Sequence, residues 1–260
     1  MGWQETGIAW SSRARDWAYF MEPLFLPLYE QLAEALDLGP GTHVLDVGCG
    51  AGLALRDYAQ RGADVVGVDA ASGLLTIAKS RVPSAELHHA SLTDLPLEDS
   101  SFDAVTGVNS FVYADDGGLS EAHRVLRPGG KLALGFWTDP LDFGWAMAAL
   151  GEALTPHVDE ADTHTPLRMS EPGAAAGLLA DAGFQVLDSG TVTSVSEFPD
   201  AEVAYRALAS TGMMYPLTQS GDEAALRASS MEVLNAEERE HPDFGIRMDA
   251  AFGWVVAQRY

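Results

Sequence analysis

From residue 42 to about 138, short runs of β-branched and apolar residues alternate with stretches whose apolar positions recur every three to four residues. The runs are His43–Val47, Asp64–Asp69, Glu86–His89, Phe102–Val108 and Lys131–Trp137. Between them, Leu53–Arg61, Gly73–Arg81 and Leu119–Leu126 have the spacing of amphipathic helices. Strand, helix, strand at these intervals requires right-handed crossovers and a parallel sheet covered on both faces. After Trp137 the regularity breaks. Glu171 and Pro172 then open a helix at about Gly173–Ala182, Gly183 ends it, and β-rich runs follow at Phe184–Glu197 and Ala250–Gln258. The predicted fold class is α/β: a doubly wound, seven-stranded, mostly parallel, Rossmann-like sheet. Residues 1–40 are helical in pattern and rich in aromatics, and they stop at Gly39, Pro40 and Gly41. They are expected to form a helical lid on an α/β domain over 41–260, with cap insertions at about 139–170 and 199–245.

Composition removes several classes. The 260 residues carry 15 Lys and Arg against 38 Asp and Glu, a formal charge of −23. Such a chain repels phosphate backbones and anionic membrane surfaces. Its densest basic group, Arg124, Arg127 and Lys131, makes no patch, so no nucleic-acid partner is expected. No apolar run approaches the roughly 18 residues that would span a bilayer, so no membrane partner is expected either. The single Cys excludes an intrachain disulfide and a multi-thiolate metal site. The first residues also lack a basic stretch followed by an apolar one, which points to a reducing, cytoplasmic location. No His, Asp and Glu cluster stands at metal-ligand spacing, so no metal is expected.

The chemistry concentrates where the first strand runs into a turn, Asp46, Val47, Gly48, Cys49, Gly50, Ala51, Gly52, and then a helix. Glycines admit positive φ and let a ligand lie against bare backbone, while the helix N-terminus offers unpaired N–H groups. A dinucleotide fingerprint would need a third glycine where Leu53 stands. Asp46 would oppose a pyrophosphate, yet it can accept hydrogen bonds from an ammonium group, or it can merely satisfy backbone donors of the turn. Asp69, at the carboxyl end of the second strand, is placed to hold the two hydroxyls of a ribose. A ribose and an amino acid without phosphate describe S-adenosylmethionine.

With these residues the chain resembles the class I S-adenosylmethionine-dependent methyltransferases, in particular the small-molecule group. The resemblance is strong over about 42–138 and extends to Val66–Asp69, Asp94–Val105 and Arg124–Leu132. It implies that Asp46, Gly48, Cys49, Gly50 and Gly52 surround the methionine part and the adenosine edge, and that Asp69 takes the ribose with Ala70 and Leu74 beside the adenine. Ser91 stands where the family carries an Asp for the adenine amino group, and Leu92 offers its backbone N–H to the ring. Asn109, Ser110 and Phe111 follow the fourth strand, where the family meets methionine and substrate. The Asn-Pro-Pro-aromatic signature of amide- and base-methylating relatives is missing there.

Trp10, Arg13 and Trp17 share one face if the first segment is a continuous helix. They form either an aromatic core stripe or a lid in which Arg13 meets the methionine carboxylate and aromatic faces lie near the sulfonium. Tyr19, Trp137 and His164 are candidate substrate contacts, and His157, His164 and His241 are either surface residues or acid/base groups. The expected function is methyl transfer from S-adenosylmethionine to an O, N or C atom of a small, largely apolar molecule of specialised metabolism, by a monomer or homodimer. S-adenosylhomocysteine is the expected product. The alternatives are an enzyme that binds the same cofactor but catalyses a cyclisation or rearrangement, and a binding protein with a vestigial pocket.

Overall fold

The computed structural model describes residues 2–111, 116–138, 169, 173–219, 223–240, 243 and 245–260. The chain opens with α1 (Trp3–Ser11), α2 (Ala14–Asp16), a π-helical turn over Trp17–Met21, a 3-10 turn over Glu22–Phe25 and α3 (Leu26–Ala35). The continuous helix expected through Trp10, Arg13 and Trp17 is therefore not formed. Arg13 leaves helical geometry at φ −129° and ψ 38°, and Pro23 and Pro27 each start a new turn because proline cannot donate into a preceding one.

The α/β part follows as β1 (His43–Val47), α4 (Leu53–Gln60), β2 (Asp64–Asp69), α5 (Ser72–Arg81), β3 (Glu86–His89), β4 (Phe102–Val108), α6 (Asp116–Val125) and β5 (Leu126–Trp137). It continues as α7 (Ala174–Asp181), β6 (Phe184–Phe198), α8 (Ala201–Ala209), a 3-10 turn (Gly212–Met214), α9 (Tyr215–Gln219), α10 (Glu223–Glu240) and β7 (Ile246–Arg259). One seven-stranded sheet has the order β3-β2-β1-β4-β5-β7-β6. All neighbouring pairs from β3 to β5 are parallel, and β7 runs antiparallel between β5 and β6. β5 starts at Leu126 rather than Lys131. Phe102 pairs with Leu126 and Ala104 with Lys131, so the extra residues bulge out of the ladder, with Gly129 at φ 79°.

Alternation along the strands divides the core into two layers. Val44, Val65, Ala104 and Ala133 pack with Leu28 and Leu32 of α3 and with Leu55 and Tyr58 of α4. Leu45, Val66, Val105 and Leu132 pack with Leu119 and Val125 of α6 and Leu179 of α7. The strand order reverses between β1 and β4, and in open α/β sheets a crevice forms outside the carboxyl ends of the strands at that point. The chain leaves that same edge after Trp137 and again after Phe198. The second departure is the helical α8–α10 segment, whereas nearly all of the first insertion, with His157 and His164, lies outside the described residues, as does His241.

Candidate cofactor site

At the exit of β1 the turn holds Gly48, Gly50 and Gly52 at φ 76°, 55° and 80°. Two of the three also have no room for a side chain. An ideal Cβ on Gly48 would stand 2.3 Å from Ser110 Cβ, and one on Gly52 2.9 Å from Ala78 Cβ. Asp69, from the neighbouring strand, accepts hydrogen bonds from Gly50 N at 2.8 Å and Ala71 N at 2.7 Å. Burial pushes its carboxyl up, against the pull of these two donors. Asp46 is 4% exposed, and its Oδ1 accepts from Thr106 Oγ1 at 2.7 Å. Desolvation, opposed by that hydrogen bond and reinforced by the charges of Asp69 and Glu22, raises its carboxyl to about 7.

A third carboxylate, Glu22, escaped sequence reasoning. It is 1% exposed, and its Oε1 accepts from Ala51 N at 3.0 Å and Leu53 N at 3.4 Å while Arg81 pairs with Oε2. Burial raises its carboxyl and Arg81 opposes this. The anions facing the amides of the turn are thus Asp69 and Glu22, while Asp46 turns its Oδ1 to Thr106. The available signal was a lone acid inside the apolar run from Trp17 to Phe25.

Beside the turn lies a cleft of about 240 Å³. It is lined by Gly48, by Asp69 and Ala70 at the exit of β2, by Ser91, Leu92 and Thr93 at the exit of β3, and by Trp3 and Thr6 of α1. Ser91 Oγ lies 2.8 Å from Thr93 Oγ1. Trp3 meets the His89 ring edge to face at 5.4 Å, and His89 Nε2 is 2.8 Å from Ala70 O. Trp3, Thr6 and Thr93 were not singled out in the sequence, since α1 reaches the cleft only through tertiary packing.

The remaining predicted residues fall around this cleft rather than on its lining. Cys49 is a buried free cysteine whose thiol burial pushes well up, which makes it unreactive. Leu74 is a core residue. Asn109 takes φ 53° and donates its N–H to Gly135 O at 2.9 Å, Ser110 Oγ donates to Val47 O at 2.6 Å, and Phe111 is buried. Arg13 is paired with Glu223. Trp17 packs edge to face on Trp10 at 4.7 Å, and its buried Nε1 has no hydrogen-bond partner among the described residues. That nitrogen lies 3.7 Å from where a Cβ of Gly50 would stand. Tyr19 is 65% exposed, beneath the Arg81 guanidinium. Trp137 belongs to an aromatic cluster, 4.5 Å from Phe252 and 5.4 Å from Phe25, which in turn lies 5.8 Å from Trp17. Among the described residues no group of His, Cys, Asp and Glu is placed to hold a metal ion, and no helix is long and apolar enough to cross a membrane.

Residues 45–134 match the family model of a methyltransferase domain. Through this domain the chain belongs to the class I S-adenosylmethionine-dependent methyltransferases, whose cofactor is S-adenosylmethionine. It is 38% identical over 112 residues to a demethylmenaquinone methyltransferase of Renibacterium salmoninarum, covering 42% of this chain and 47% of that one. It is 32% identical over 186 residues to a malonyl-[acyl-carrier protein] O-methyltransferase of Dechloromonas aromatica, covering 70% and 66%. The chain therefore spans about half the length of the first of these relatives. The crystal structure of the [4+2]-cyclase SpnF superposes with a TM-score of 0.55 over 89% of this chain and 80% of that one, at 19% identity, a likeness of fold.

Proposed function

We propose that this protein transfers a methyl group from S-adenosylmethionine to an O, N or C atom of a small, largely apolar molecule of specialised metabolism. The residues present fit the cofactor. Bare peptide at Gly50 leaves space that a Cβ would fill, and beside it the buried indole N–H of Trp17 lacks an acceptor, which the carboxylate of the amino-acid part would supply. Asp69 has lone pairs left for the ribose hydroxyls after Gly50 and Ala71 are satisfied. Ala70, Ser91 and Leu92 take the adenine, with Trp3 and Thr6 of α1 as the opposite wall. Cys49 and Leu74 hold the turn and the wall by packing, and Asn109, Ser110 and Phe111 shape the exit of β4. Asp46 balances the ammonium charge. Arg13 serves the carboxylate if it exchanges its Glu223 partner.

Bound there, S-adenosylmethionine supplies an electrophilic methyl group. The chain has to align an acceptor with it and exclude water. The aromatic cluster of Trp17, Phe25, Trp137 and Phe252 carries the substrate reading, because it lies at the carboxyl edge of the sheet and joins the N-terminal segment to β5 and β7. Its two half-buried members, Trp17 and Trp137, backed by the buried rings of Phe25 and Phe252, favour a flat apolar acceptor over a charged one. Residues 1–40 act as the lid, with Tyr19 at its outer edge and His164 in the first insertion as a further substrate contact. The test is incubation with S-adenosylmethionine and a panel of phenols, quinols and apolar amines and acids. S-adenosylhomocysteine release coupled to a product heavier by one methylene is expected. Conversion of a substrate without consumption of S-adenosylmethionine would replace this reading by a cyclisation or rearrangement.

A further inference from the structure

We infer that Glu22 is a built-in anion that fills the phosphate seat of the glycine turn and selects against phosphate-bearing cofactors. A strand, a glycine turn and a helix together make an anion seat, because the first helical amides point outward and the helix dipole adds positive potential. A dinucleotide fold leaves this seat open for a pyrophosphate. In this chain the amides of Gly50, Ala51, Gly52 and Leu53, from the turn into the first helical residue, are already used. Gly50 N donates to Asp69 at 2.8 Å, Gly52 N to Cys49 O at 3.0 Å, and Ala51 N and Leu53 N to Glu22. Glu22 is also held from its other side. Arg81 pairs with Oε2 and donates to Ala51 O at 3.1 Å and Ala18 O at 2.5 Å, which locks the carboxylate, the turn and the N-terminal segment into one unit.

An incoming phosphate would find these four donors taken and would meet a buried negative charge at short range, where the low dielectric magnifies repulsion. The single carboxylate of an amino-acid-bearing nucleoside has the unpaired Trp17 indole N–H and its own ammonium group to offset that charge, whereas a pyrophosphate carries more negative charge and no counter-ion of its own. The inference goes beyond the reaction proposed above, since it concerns which cofactors the turn refuses rather than what the bound one does. It also identifies what removal of the carboxylate would expose: Arg81 and two free amides, the donor set of an anion site.

The experiment compares wild type, Glu22→Ala and the double variant Glu22→Ala/Arg81→Gln by calorimetry with inorganic pyrophosphate and ADP-ribose, against sodium chloride at equal ionic strength. Wild type is expected to bind neither, while Glu22→Ala binds pyrophosphate at least about tenfold more tightly than wild type and the double variant loses the gain. A purely structural role for Glu22 would not create a new ligand. If Glu22→Ala does not fold in chloride, the same comparison is read as recovery of its far-ultraviolet dichroism by pyrophosphate, which the inference requires. Pyrophosphate or ADP-ribose binding to wild type overturns it, and so does a Glu22→Ala protein indifferent to pyrophosphate in both measurements. S-adenosylhomocysteine titrated into wild type is a separate control, whose failure would count against the methyltransferase reading alone.

Discussion

Asp46, Asp69 and Glu22 are buried around one turn, and their partners assign them different work. Glu22 has a guanidinium and two backbone donors, Asp69 has two backbone donors, and Asp46 has one hydroxyl, so Asp46 has the fewest partners, and burial raises its carboxyl to about 7. The ordinary value is 3.8, so between the two the folded chain holds a proton that the unfolded chain has lost. The stability owed to this group is complete below about pH 4 and is lost as pH rises through 7. Asp46→Asn keeps an acceptor for Thr106 and removes the titration. Denaturant unfolding from pH 5.5 to 8 should therefore show wild type losing about 2 kcal/mol that Asp46→Asn retains. Parallel curves for the two proteins would show that Asp46 is charged at neutral pH. Asp69→Ala should weaken S-adenosylhomocysteine binding by about 1–3 kcal/mol in calorimetry, the range for hydrogen bonds to a charged acceptor. Undiminished affinity would remove Asp69 from the ribose.

At the scale of elements, the parallel strands were legible because each is a short apolar run and β1, β2 and β4 are each followed by a stretch of helical period, and the strand limits through β4 stand where the pattern puts them. The turn and Asp69 were legible for a related reason, since both sit at strand exits and topology alone brings neighbouring exits together. The N-terminal segment was not. Two prolines and the kink at Arg13 override its helical pattern, and Glu22, Trp3 and Thr6 reach the site by docking across the fold, which no local spacing records. The start of β5 was missed because a bulge containing Pro128 and two glycines reads as a turn. How α1 docks is visible at Gly7, where an ideal Cβ would come within 2.0 Å of Ala70 O. Gly7→Ala must lift α1 from the β2–α5 connection, at a cost of about 1–3 kcal/mol for overpacking. That cost should appear locally: hydrogen exchange in residues 3–11 accelerates and S-adenosylhomocysteine affinity drops, while β1–β5 keep their protection. Affinity equal to wild type would mean that Trp3 and Thr6 do not contribute to binding.

For the whole molecule the governing quantity is the excess of acid. Even if every one of the 15 Lys and Arg side chains formed an ion pair, 38 − 15 = 23 carboxylates would remain without a basic partner. Added salt has two opposed effects on such a surface. It weakens pairs such as Arg227–Glu202 and Arg247–Asp249, which are about half exposed and individually contribute about 0–1 kcal/mol, and it screens repulsion among the unpaired acids. Repulsion wins because the unpaired charges outnumber the pairs and act on one another across the entire surface. Raising sodium chloride from low to about physiological ionic strength should therefore raise the thermal midpoint at pH 8 by roughly 2–4 °C, the shift that about 1 kcal/mol produces in a chain of this size. The gain should shrink near pH 4.5, where carboxylates begin to take up protons. A midpoint that falls with salt at pH 8 would show that the surface ion pairs dominate, and that the acidic excess is tolerated without cost to the fold.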